Sequence, residues 1–207
     1  MPGASLPALL MSPVRTNESA GYSLLELLFV TSLVATLAAL SIPATAGALD
    51  EMRTAMAARY LEGRILNARA TAIRRSTRVA LRFEAVDGDY RYGEYWDGNG
   101  NGVRSAEIAS GLDPEIAPAE LLGSRFPGVT FGLHAGLADV DGERSTTTDG
   151  VRFGSSRILT LGPDGTASSG TLYVRGRRGQ FAVRVLGVTG RARVLRFHPG
   201  TGQWTMP

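Results

Sequence analysis

Residues 21–49 run GYSLLELLFVTSLVATLAALSIPATAGAL, and between Leu24 and Leu49 the only charge is Glu26. As an α-helix, that run rises about 39 Å, more than the roughly 30 Å of a bilayer's hydrocarbon core. A helix apolar on every face for so long fits a membrane span better than a core helix. Glu26 is the exception within it. An ionised carboxylate costs about 3 kcal/mol in a bilayer on insertion scales, so it calls for a proton or a cationic partner. Cleavage between Gly21 and Tyr22 would supply one, an α-amine one helical turn from Glu26.

Gly21-Tyr22-Ser23-Leu24-Leu25-Glu26 resembles the processing motif of type IV prepilins and type II secretion pseudopilins. The resemblance implies that a membrane prepilin peptidase removes residues 1–21 as a leader, cutting after Gly21 and N-methylating Tyr22. It also implies assembly roles for Glu26, the family's fifth mature residue, and for Pro43, where the family often has proline. Tyr22 stands where the family usually has phenylalanine and keeps an aromatic ring. Met1 and Met11 are alternative starts of the leader. The competing reading is an ordinary secretory signal cut near Ala44-Thr45-Ala46, but the apolar run exceeds the usual length of about 7–15 residues.

Beyond Pro43 the apolar residues fall at helical spacing: Leu49, Met52, Met56, Leu61, Ile65, Ala68 and Ala72. Most of the arginines from Arg53 to Arg75 lie off that stripe. The pattern predicts an amphipathic continuation of the helix over 49–77, its apolar face on a core, with a kink where Pro43 lacks its amide. From Arg78 the period becomes two, and Asp87-Gly88-Asp89 divides residues 78–96 into a hairpin. Residues 97–128 read as irregular, followed by a strand over Val129–His134. The stretches SSRILTL, TLYVRG, QFAVRVLG and ARVLRFH then recur between Gly-containing turns. The expected fold is α+β: a long N-terminal helix, transmembrane over 22–48, packed on a pilin-like antiparallel β-sheet domain over 78–207. The segment GPDGTASSGTLYVRGRRGQFAVRVLGVTGRARVLRF is similar to the H-type minor pseudopilins and the related FimT-like minor pilins.

Composition narrows the chemistry. There is no cysteine, which excludes disulfides, zinc–thiolate and iron–sulfur sites and thiol catalysis, and the closing disulfide of many major pilins is absent with it. Every one of the 22 basic residues is arginine. Residues 22–83 carry eight arginines against four acids, 84–150 four against thirteen, and 151–207 nine against Asp164 alone. An acidic middle beside a basic end predicts pairing within the chain, between subunits, or with an anionic partner.

Two local motifs remain open. Asp97-Gly98-Asn99-Gly100-Asn101-Gly102 places oxygens at alternate positions, so Asp97, Asn99 and Asn101 are candidate calcium ligands. Glu107 falls one register short of the EF-hand pattern, and the alternative is an ion-free turn. Gly190-Arg191-Ala192-Arg193 resembles the GRxR pattern of FimT-like pilins that bind DNA, and the resemblance implies phosphate contacts from Arg191 and Arg193. The alternative is pairing of these arginines with acids of 84–150 or of a neighbouring subunit. No nucleophile elbow, phosphate loop or histidine cluster is present, and His134 and His198 stand apart in the sequence, so neither enzymatic activity nor a cofactor is expected.

The resemblance implies a minor pseudopilin of type II secretion, held in the inner membrane by one span with its domain in the periplasm. Its partners would be the prepilin peptidase, the inner-membrane assembly platform and other minor and major pseudopilins at the pseudopilus tip. The alternatives are a FimT-like type IV pilus subunit taking up DNA, and a soluble periplasmic protein released by signal peptidase.

Overall fold

The computed structural model describes residues 21–207, apart from the side chains of residues 40–44. The leader expected over residues 1–21, with both candidate start codons, therefore lies outside the described residues except for Gly21. The chain divides into two units, Met1–Pro43 and Ala44–Pro207, and each is considered by itself.

In the first unit the helix α1 (Leu24–Arg75) begins directly after Ser23. The Ser23 hydroxyl accepts the Glu26 amide proton at 3.1 Å, and the Ser23 carbonyl accepts that of Leu27 at 3.1 Å. Ser23 is thus the N-cap, and Ser23-Leu24-Leu25-Glu26 has the spacing of a capping box. Residues 21–39 are all exposed. The hydroxyls of Thr31, Ser32 and Thr36 within this stretch turn back onto its own backbone. Thr31 donates to Leu27 O at 2.8 Å, Ser32 to Phe29 O at 2.8 Å and Thr36 to Ser32 O at 2.8 Å. Among the described residues no helix is long and apolar enough to cross a membrane. The span expected over 22–48 includes residues 40–44, Pro43 among them, whose side chains lie outside the description.

In the second unit α1 runs to Arg75 and ends where Ser76 adopts a left-handed φ of 50°. The helix buries Thr54, Ala57, Ala58, Leu61, Ile65, Ala68 and Ala72, all completely. This corrects the first half of the expected stripe: Leu49, Met52 and Met56 are 45%, 57% and 42% exposed. Hydropathy favours the long side chains, but the sheet meets the helix across its small residues. A Cβ on Gly176 would lie 2.3 Å from Thr54 Oγ1, and one on Gly179 2.9 Å from it, so the approach is too close for larger groups.

Two antiparallel sheets share the core with this helix. The four-stranded sheet has the order β3 (Glu115–Leu121), β2 (Asp89–Trp96), β1 (Val79–Val86), β6 (Ile158–Leu161). The six-stranded sheet has the order β10 (Gln203–Thr205), β9 (Arg191–His198), β8 (Gln180–Leu186), β7 (Gly170–Arg175), β4 (Thr130–Phe131), with β5 (Val151–Arg152) also on β7. The predicted hairpin is β1–β2. Val86 pairs with Asp89 across a two-residue turn in which Asp87 and Gly88 both take positive φ, 49° and 81°. That turn matches the right-handed twist of the strands.

Inward-facing Leu81, Phe83, Tyr92, Leu159, Leu172, Phe181, Val183 and Val194 close on Leu61 and Ile65 of the helix. On its other face the six-stranded sheet carries a smaller cluster, Leu133, Tyr173 and Ala182, flanked by Leu195 and Trp204. Residues 97–128 are more ordered than their composition predicts. They hold the short helix α2 (Ser105–Ser110), β3 on the edge of β2, and the single turn α3 (Leu122–Arg125). The helix packed on antiparallel sheets makes this unit an α+β fold.

Candidate functional site

The Gly21-Tyr22 peptide lies immediately before the Ser23 cap, outside the helix. Tyr22 is 76% exposed, and nothing stands within 4 Å of the Cβ position of Gly21. The cap fixes where the helix begins and leaves this bond outside it. Glu26 is exposed in the first turn, where the positive end of the helix favours a carboxylate. Pro43 is the last residue of the first unit. Sequence reasoning passed over Ser23, although Ser-x-x-Glu before an apolar run is a recognised start signal.

The basic turn between β7 and β8 is built around a helix residue that the sequence does not connect with it. Asp50 accepts the backbone amide protons of Arg177 at 2.9 Å, Arg178 at 2.8 Å and Gly179 at 3.1 Å. Burial alone would raise the Asp50 pKa, but these three donors and the Arg177 charge outweigh it and hold the carboxyl below its ordinary value. Asp50 is separated from the turn by more than a hundred residues, so no local signal could have revealed the contact.

Asp50→Asn is expected to lower stability by about 1.5 kcal/mol near neutral pH, the scale of charge-assisted bonds at a partly exposed site. The difference from the parent should be fully present above the ordinary carboxylate pKa of about 4 and vanish as pH falls through the lower folded value. Urea unfolding at a series of pH values measures it.

The glycine- and asparagine-rich loop closes on buried carboxylates. Asp97 is 4% exposed; its Oδ1 accepts the amide protons of Gly100 at 2.7 Å and Asn99 at 3.2 Å, and its Oδ2 that of Gly102 at 2.7 Å. Asp113, 1% exposed, accepts from Gly98 at 3.1 Å and Arg104 at 2.9 Å. Asn99 Oδ1 accepts the Asn101 amide proton, and Asn101 Nδ2 donates to Glu107 at 2.8 Å. Of the three candidate calcium ligands, Asp97 and Asn99 thus direct their side-chain oxygens to backbone amides of the loop itself. Among the described residues no three His, Asp or Glu side chains are grouped to hold a metal ion.

Arg191 and Arg193 are exposed at the start of β9, while Ala192 and Val194, which alternate with them, are buried. Arg193 lies opposite Arg184 and Arg191 opposite Leu186. Three arginines of the basic C-terminal segment do pair with the acidic middle: Arg152 with Asp139 at 3.0 Å, Arg157 with Asp149 at 3.2 Å and Arg184 with Asp141 at 2.8 Å. Arg196 lies on the opposite face from Arg193 and pairs with Glu51 of the helix. The side chains of Arg191 and Arg193 make no ion pair or hydrogen bond among the described residues. His134 and His198 stand apart, and His198 Nε2 meets Thr205 Oγ1 at 2.8 Å.

In comparison with known proteins, no family model, curated protein or solved structure matches the chain.

Proposed function

We propose that the chain is a minor pseudopilin of a type II secretion system, made as a single-span inner-membrane precursor and assembled through its N-terminal helix into the pseudopilus tip. The observation that carries this reading is the start of α1. An exposed Gly21-Tyr22 bond precedes a capped helix whose first half, up to Leu49, is almost wholly apolar and carries one acid, Glu26, in the first turn. Tyr22, Leu24, Leu25, Leu28 and Phe29 are each more than 60% exposed, an apolar surface that water does not favour. Lipid before assembly and sister helices afterwards would cover it. The hydroxyls of Thr31, Ser32 and Thr36 are satisfied within the helix, as an apolar environment requires.

In this reading prepilin peptidase frees the Tyr22 amine, the amine neutralises Glu26 in a neighbouring subunit, and the second unit faces the periplasm to meet other minor pseudopilins. Intact mass and N-terminal peptide analysis of the chain from a host with an active prepilin peptidase should give N-methylated Tyr22 as the first residue. A terminus near Gly47 would mean release by signal peptidase and overturn the reading.

A second reading, a FimT-like minor pilin that binds DNA, is favoured by the exposed and unpaired Arg191 and Arg193. Here duplex DNA should bind with an affinity that falls steeply with salt. Arg191→Ala/Arg193→Ala should flatten the log–log salt slope by about 2, one for each lost phosphate contact. Binding that is insensitive to both substitutions would remove this reading.

A further inference from the structure

The apolar run ends at Leu49, and Asp50 is the first charged residue after it. By accepting three amide protons from residues 177–179, Asp50 fixes the β7–β8 turn at that level of the helix. Beside this contact opens a cleft of about 590 Å³, lined by Gly47, Ala48 and Glu51 of the helix and by Arg177, Arg178 and Arg196 of the sheet. Glu51 is already neutralised by Arg196. The guanidinium groups of Arg177 and Arg178 are exposed and make no hydrogen bond or ion pair among the described residues. His134, also in the lining, has a buried Nε2 without a hydrogen-bond partner. Leu137, Phe197 and Pro199 supply an apolar wall.

We propose that this cleft takes the phosphate headgroup of an anionic phospholipid, gripped by Arg177 and Arg178. The inference rests on the membrane segment of the proposed function. If the run before Asp50 lies in lipid, Gly47–Glu51 stand within about 6 Å of its end along the helix, at headgroup depth. There a phosphodiester meets two exposed guanidinium groups that form no ion pair, and its glycerol and first methylenes meet the apolar wall. Guanidinium suits phosphate because its fork donates two parallel hydrogen bonds. Free phosphate offers the same anion without the apolar portion and is not held at this depth by the bilayer.

The full chain, reconstituted in bilayers of mixed phosphatidylcholine and phosphatidylglycerol, is withdrawn with its bound lipid, and the lipid is counted by mass spectrometry. Phosphatidylglycerol should be enriched over its bulk fraction. Interfacial arginines near an anionic surface each contribute about fivefold, so Arg177→Ala/Arg178→Ala should lower that enrichment about 25-fold. The double variant keeps the backbone amides that bind Asp50, so the turn stays seated, and an unchanged thermal midpoint verifies this.

A bulk lipid ratio on the parent, or enrichment unchanged in the double variant, overturns the proposal. Displacement of the lipid by excess inorganic phosphate would identify a general phosphate site, and displacement by polyglutamate a site for acidic peptides; either overturns the lipid assignment. Alkaline carbonate extraction separates the two levels. A chain stripped from the bilayer overturns the membrane segment as well, whereas a retained chain without anionic lipid overturns the cleft alone.

Discussion

Glu26→Leu is expected to be cleaved between Gly21 and Tyr22 and to fold its second unit normally, yet to lose co-assembly with companion pseudopilins. The substitution leaves Gly21, Tyr22 and the Ser23 hydroxyl in place, and the Ser23 cap bonds to the Glu26 backbone rather than its carboxylate. Cleavage therefore keeps its open peptide. The variant loses the one charge in the first turn that could answer a freed amine. In the proposed filament, moving an apolar helix from lipid to a bundle gains little hydrophobic energy, so register depends on such specific pairs. An unpaired ammonium left in an apolar bundle is costly, which makes the expected loss nearly complete rather than graded. Co-purification with the subunits of the proposed filament and N-terminal sequencing of the same sample read both parts. A variant that assembles as the parent does would remove the amine–Glu26 pair from the mechanism.

Asp97→Ala is expected to be the most destabilising change among the loop residues, at about 3 kcal/mol, or roughly 10 °C in the midpoint of a unit this size. Its carboxylate accepts three amide protons inside a nearly closed loop, and alanine leaves those donors without partners. Asp97→Asn should recover part of the loss, because one acceptor oxygen survives. Calcium or a chelator is expected to leave the parent's midpoint where it is, since both carboxylate oxygens already accept amide protons. A rise in the midpoint with calcium would show the oxygens turning to an ion instead. Differential scanning calorimetry of the parent and both variants, with and without calcium, decides between the two readings of the loop.

The parts of the fold governed by neighbouring residues were legible in the sequence. Asp87-Gly88 between alternating strands gives the β1–β2 hairpin, because the chemistry of that turn is local. The buried residues from Leu61 to Ala72 follow helical periodicity and were found by it. Strand β3 was not, since Pro118 and flanking acids give it the composition of a loop; it survives because it is an edge strand, where a missing amide is tolerated. The buried face around Thr54 was misread for a different reason. Close backbone approach selects small residues there, and hydropathy counts only large ones.

For the candidate sites, residue identity was readable but partnership was not. The sequence marks Arg191 and Arg193 as basic; only the fold leaves them unpaired while Arg152, Arg157 and Arg184 meet acids from the middle of the chain.

The hydroxyls of Thr31, Ser32 and Thr36 bear on how the first unit could be oriented by its neighbours. Each is spent on a carbonyl of its own helix, so this stretch offers an adjacent rod dispersion contacts without side-chain hydrogen bonds from those three residues. A cylinder of that kind can spin about its long axis at little cost. In the proposed filament its azimuth would then have to be set from the end, with the lone carboxylate as the index mark.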